Sequence, residues 1–323
     1  MVESRKAVLF NRLLDISACI HIPLKSFAIY VVVRHTPPQL RHYSYFILNT
    51  MFWNFLMNFG FTFMHIFPLF PALCFRVDGI SSYFIDNEAF GHSLYILIVF
   101  LITQSALALI STFPHRYFVF VYPKLAARIK PAQLFRVCAA MHVIFALFYF
   151  PLVIAWTVSY DDYPNKAELP ARPFVFCFHP SGPRKTAIAT VYLTGATIGV
   201  LVVVAFSFLI LRNVKKLEKR IVHDDTLALQ KKVFASLLMM TAIAMFLGGI
   251  PAVICIFLTV FPLAPYGKEA TQVSILFVCN HGTVSAIAYL VFFNSYRVAV
   301  KRIFSNLFGA LTGWKNKVHS VVI

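Results

Sequence analysis

Seven long apolar stretches constrain this chain more than any other feature: approximately Leu13 to Val33, Ser44 to Phe67, Gly91 to Phe113, Val137 to Ser159, Thr186 to Leu211, Val233 to Phe261 and Thr271 to Phe293. A hydrocarbon layer about 30 Å thick is crossed by roughly 20 residues of helix, and each stretch reaches that length. Lipid offers the backbone no hydrogen bonds, so a lone apolar segment satisfies its own groups only as a helix. Composition agrees: 59% of residues are hydrophobic and 13% are charged, against about 25% charged in soluble domains. The apolar residues come in blocks rather than in periodic faces. The predicted fold class is an all-α membrane protein, a seven-transmembrane helix bundle. Short connections make residues 1–297 one domain, followed over 298–323 by a cytoplasmic amphipathic helix and short tail. The opening MVESRKAVLFNR lacks a small-residue cleavage pattern, so the first stretch is expected to be a retained span.

Basic residues fall on alternate connections. One set carries Arg34 and Arg41, then Arg116, Lys124, Arg128, Lys130 and Arg136, then the loop RNVKKLEKRIVHDDTLALQKK, and finally Arg297, Lys301, Arg302, Lys315 and Lys317. The opposite set holds Asp78, Asp86, Glu88, Asp161, Asp162, Glu168 and Glu269. The positive-inside rule then puts the N-terminus outside and the C-terminus in the cytoplasm. The formal charge of +17 is thus a matter of topology. Nucleic-acid binding is not expected, because the aromatics lie within lipid-length blocks instead of on a solvated basic face. Cys19, Cys138, Cys255 and Cys279 lie in spans, where a thiol acts as a small apolar group. Cys74 and Cys177 lie in the two outer connections, a compartment where disulfides persist, and are expected to bridge. No cofactor or metal is expected, since no CxxC or His pair lies close enough to complete a zinc site. GxSxG, HExxH and Walker motifs are absent, so no enzyme is expected. The outer connections carry no Asn-x-Ser/Thr acceptor for glycosylation.

Four stretches carry a family signal. IPLKSFAIYVVVRHTPPQLRHYSYFILN spans the first connection, FPHRYFVF ends span three, TLALQKKVFASLLMMTAIAMFLGGIP leads into span six, and HGTVSAIAYLVFFNSYR makes up much of span seven. In order and spacing they resemble the nematode serpentine chemoreceptors, class H (the Srh group), of the seven-transmembrane G-protein-coupled receptor superfamily. The resemblance implies a chemosensory receptor that binds a ligand from outside, activates a heterotrimeric G protein and works in sensory cilia; the mainly aromatic and aliphatic walls expected between the outer halves of the spans make a small, weakly polar molecule the expected guest. The resemblance also implies coupling roles for Arg116 and Tyr117, which stand where rhodopsin-like receptors keep Asp/Glu-Arg-Tyr. Lys215, Lys216, Lys219 and Arg220 would add a docking surface on the third inner loop. Pro114 and His115 depart from the Glu-Asn of the family motif, so an adjacent carboxylate is missing; Asp224 and Asp225 are the candidate replacement partners. Lys25, two residues after Pro23, and Asn294-Ser-Tyr296-Arg297 are further departures.

Polar groups in the outer halves of the spans are the candidate ligand contacts, because they are costly in lipid. They are Asn58, Thr62 and His65 in span two, His92 and Tyr95 in span three, Tyr192 and Thr194 in span five, and Gln272 in span seven, with Phe61, Val99 and Phe257 as apolar contacts. Their ordinary role in membrane bundles is to bond to neighbouring helices. Pro23, Pro151 and Pro251 are expected to kink their helices. Val300, Phe304, Leu307, Phe308, Leu311 and Trp314 form an apolar stripe that predicts a helix lying on the inner leaflet. Two alternatives stay open on the residues alone: a small-solute transporter or channel using Asp15, Lys25 and His281, and a receptor-like protein that no longer couples to G protein.

Overall fold

The computed structural model describes residues 5–37, 41–85, 87–126, 128–164, 169, 175–220 and 239–319. Its helices are span one, Arg5–His35; span two, Arg41–Met64; span three, Glu88–Val121; span four, Pro131–Trp156; span five, Pro183–Arg220; span six, Met239–Val260; and span seven, Gly267–Phe292. Six of these are long and apolar enough to cross a membrane. Span two is diluted by Asn49, Asn54 and Asn58. It crosses with that polarity turned inward, since Asn54 and Asn58 are buried and Asn49 bonds His142 of span four at 3.2 Å. Span one packs on spans two and seven, span three on two and five, and span six on seven. The result is the expected seven-helix bundle.

A small sheet caps one end. Strands β1 (Ile66–Pro68), β2 (Cys74–Val77), β3 (Thr157–Val158) and β4 (Val175–Phe178) lie in the order β1-β2-β4-β3, each pair antiparallel. The helix bundle thus carries a small sheet that the sequence reading did not include, and two span ends move. Spans two and four end at Met64 and Trp156, not Phe67 and Ser159, because the chain turns into β1 and β3. Span two stops at His65, a left-handed residue with φ 46°. Its last carbonyls are taken by the returning chain: the Gly79 and Asp78 amides donate to Met64 O at 3.0 Å and His65 O at 3.2 Å, as a helix end requires. Cys74 sits opposite Cys177 in the β2–β4 register, and their sulfurs are bonded at 2.07 Å.

The sheet packs on span three. A Cβ at Gly91 would lie 2.0 Å from the Phe176 ring, so only glycine lets β4 approach there. Asn87 caps this span by accepting from the Phe90 amide at 2.8 Å. At the other end span three runs on through Pro114 to Val121, past the predicted limit at Phe113. Span six opens into a π turn over Met245–Gly249 immediately before Pro251. Proline cannot donate to the preceding turn and its ring crowds the carbonyl there, so the helix widens. After Phe293 a final helix, Asn294–His319, turns away. Val300 and Ile303 pack toward spans one and seven and Phe304 meets Phe27 of span one at 5.9 Å, while Leu307 and Phe308 are exposed. That outward apolar face suits an interfacial helix. Its backbone continues past Trp314, where the tail was expected to begin.

Candidate functional site

Below the sheet lies a cavity of about 170 Å³. Each wall is a helical stripe: Tyr95, Ile98, Val99, Ile102 and Thr103 from span three; Lys185, Ile188, Ala189 and Tyr192 from span five; Ala252, Cys255, Ile256 and Thr259 from span six; Thr271, Ile275 and Val278 from span seven. Phe61, Ile66, Phe75, Val153 and Trp156 close it. Spacings of three and four residues bring these side chains onto common faces. Tyr95 is wedged between Phe75 and Phe178, with ring centroids at 4.7 and 4.9 Å. The Tyr192 hydroxyl lies beside Tyr149 and Thr103 without a hydrogen bond of ordinary geometry. At the rim His179 and Arg184 approach to 2.7 Å. Partial burial, then the neighbouring guanidinium, lowers the His179 pKa below its ordinary value.

Of the expected ligand contacts, Tyr95, Tyr192, Phe61 and Val99 line the cavity. The others do not, for identifiable reasons. His92 turns to β4: its ring nitrogens meet Glu88 O at 3.1 Å and Cys177 O at 3.0 Å, so it ties the sheet to span three. Thr62 donates to Asn58 O at 2.9 Å and accepts from His21 Nε2 at 3.3 Å. His65 ends its helix 3.5 Å from Asp15. Gln272 is buried off the cavity wall. Phe257 points outward, 51% exposed, against Phe261, and Thr194 is exposed as well. Sequence reasoning missed Thr103, Trp156, Lys185 and Thr271. The stripe Lys185-Ile188-Ala189-Tyr192 has helical spacing and could have been found once Tyr192 was chosen.

Deeper in the bundle, spans one, two and seven are joined by polar groups. Lys25 is 2% exposed and donates to Asn54 Oδ1. It does not snorkel to an interface. The Asn54 amide donates to His281 Nε2 at 3.0 Å, and His281 Nδ1 donates to Val278 O at 2.6 Å. Asn58 Nδ2 donates to Cys279 O, and Asn280 Nδ2 to Ser17 Oγ at 3.1 Å. Asp15 stands apart from this group, half-exposed beside Arg12 and His65. Among the described residues no His/Cys/Asp/Glu cluster could hold a metal ion.

At the end of the bundle opposite the sheet, Arg116 is directed inward, and its electrostatic neighbour is Tyr289 of span seven. His115 stacks on Phe46 of span two at 3.9 Å, and Tyr117 meets Phe206 of span five at 5.5 Å. Lys215 and Lys216 are exposed on the extended span five, whose backbone carries on through Lys219 and Arg220. Asp224 and Asp225 lie outside the described residues.

Seven packed spans, a disulfide-tied cap, a cavity beneath it and an inward arginine at the far foot of span three make this a multi-pass membrane protein of the seven-transmembrane receptor class. The family model described as serpentine type 7TM GPCR chemoreceptor Srh matches residues 7–306, and the chain belongs to that family. The resemblance read from the four motifs is thereby borne out. No curated protein matches the chain.

Proposed function

We propose that this chemoreceptor sits in the plasma membrane with its N-terminus outside and its C-terminus in the cytoplasm, binds a small molecule in the cavity beneath the sheet, and activates a heterotrimeric G protein at the Arg116 end. The sensory cilium implied by the family is the proposed site of action. The observation that carries the reading is the cavity: it is walled by spans three, five, six and seven, and its lining is mainly apolar, with a few hydroxyls and the amine of Lys185. Such a site takes small guests with a mainly apolar body and one or two polar groups. Its size points the same way, since an apolar cavity of about 150 Å³ is known to take benzene. The basic residues clustered at the opposite end support the orientation.

Ligand and G protein would act on one equilibrium between two arrangements of the bundle. Arg116 would hold the resting packing and present its guanidinium to the G protein when the spans separate. A screen of small volatile and weakly polar compounds, read as calcium release in cells expressing the receptor with solute uptake followed in parallel, tests this. The expected result is a response to some compounds without uptake, lost in Arg116→Ala at matched surface expression. Uptake without G-protein activation would overturn the reading. Full signalling by Arg116→Ala would leave that residue only a topological anchor.

A further inference from the structure

The cavity has one charged residue among its described lining, Lys185, and we propose that it selects ligands with an anionic group, a carboxylate on a small apolar body. This rests on the proposed role of the cavity as the ligand site. Lys185 is the third residue of span five, at the rim, half-buried against an otherwise apolar wall. Among the described residues no carboxylate comes within 4.0 Å of it. Of the described acids near this end, Asp78 is engaged with Arg76, Glu269 with Lys6, and Glu88 with Ser159 and the Tyr160 amide, while Asp161 and Asp162 lie on the short turn after β3. The neighbouring Arg184 is turned to His179 at 2.7 Å.

An ammonium beside apolar walls favours a guest that brings the opposite charge and disfavours an amine. The first turn of a helix adds to this, because its free amides and dipole also favour an anion. Tyr192 lies seven residues further along the same face, about 10 Å deeper by helical rise. A guest with its carboxylate at Lys185 would therefore run its apolar body down the cavity toward the Tyr192 hydroxyl. A single ring with a short acidic arm matches both that length and the volume.

The experiment uses the full chain in lipid nanodiscs, titrated with phenylacetate, phenylethanol and phenylethylamine, which share one apolar body. Phenylacetate is expected to bind at least tenfold more tightly than phenylethanol, and phenylethylamine most weakly. Lys185→Gln should remove the preference for phenylacetate over phenylethanol, and Lys185→Arg should keep it. Equal affinities in the wild type, or a preference that survives in Lys185→Gln, would overturn the role of Lys185. A cavity-filling Ala252→Trp separates this from the underlying reading. If it abolishes phenylethanol binding, the cavity stands whatever the lysine does. If no probe binds the wild type, or binding is indifferent to the filled cavity, both fall together.

Discussion

Gly282 on span seven is the position where the smallest change should do the most damage. A Cβ built there would lie 1.5 Å from Asn54 Oδ1, 2.1 Å from Cγ and 2.4 Å from Nδ2. The amide cannot slide aside, because Lys25 holds its oxygen and His281 its nitrogen. Gly282→Ala must therefore swing Asn54 out or part spans two and seven, and either movement breaks both bonds. Leaving a buried polar group unsatisfied costs about 1 to 3 kcal/mol, and here Lys25 and His281 each lose a partner. The expected loss is roughly 2 to 6 kcal/mol on these figures, against total stabilities of about 5 to 15 kcal/mol for ordinary domains. Helix propensity has the opposite sign, since alanine in a helix is about 1 kcal/mol better than glycine. Gly195→Ala is the control, because nothing lies within 4 Å of a Cβ there. Thermal melting in nanodiscs and surface delivery of a tagged receptor should both fall sharply for Gly282→Ala and hold for Gly195→Ala. Replacing the lysine and its partner as well, in Lys25→Met/Asn54→Ala/Gly282→Ala, should recover much of the loss, as apolar substitution of buried polar sets often does. A Gly282→Ala receptor that melts and traffics like Gly195→Ala would refute the account of this joint.

Cys74→Ser or Cys177→Ser should lower surface delivery by freeing β2 from β4, and an impermeant thiol reagent should label neither cysteine of the wild type until a reductant is added; prompt labelling of both would remove the bridge. His92→Ala should cost about 1 to 3 kcal/mol of stability, through the lost bond to β4, and reduce delivery. Once an agonist is known, it should not shift agonist potency in the receptors that do reach the surface. Tyr95→Phe should do the reverse, moving the dose-response curve with delivery intact; an unchanged curve would place recognition away from this wall.

The spans were legible because a bilayer leaves blocks of fixed length, and four motifs in order were enough to indicate the family. The sheet was not legible. Its strands are two to four residues long, and the residues paired at Cys74 and Cys177 lie 103 apart. β2 and β4 are buried on nearly every residue, so no alternation marks them. The cavity was half legible. Tyr95 and Tyr192 were found as polar groups at lipid depth, but the same reasoning chose Thr62 and His92, which bond to neighbouring backbone instead. Phe257 failed on helical phase: span six presents Ala252, Cys255, Ile256 and Thr259 to the cavity, and Phe257 falls to the side of that stripe. Lys185 was passed over because the apolar pattern placed the start of span five at Thr186, which left the lysine in a loop. The helix actually begins at Pro183.

The π turn of span six stands between the cavity and the polar joint, and this position bears on how the proposed coupling would work. Ala252 and Cys255 touch the cavity, while Gly248, one turn nearer the Arg116 end, lies against His281, where an added Cβ would sit 3.0 Å from the ring. A guest that shifts span six at Ala252 therefore presses on a helix already widened at Met245–Gly249, where rotation disrupts the fewest regular hydrogen bonds. His281 is bonded to Asn54 and Asn54 to Lys25, so movement at Gly248 alters how a buried amine is held. A seam of apolar contacts could slide by small steps at little cost. A seam of buried hydrogen-bonded polar groups has a few satisfied arrangements separated by costly ones, which makes its response discrete. Reciprocity then requires that a G protein bound at the far end tighten the cavity for its ligand by the same factor that the ligand tightens the G protein.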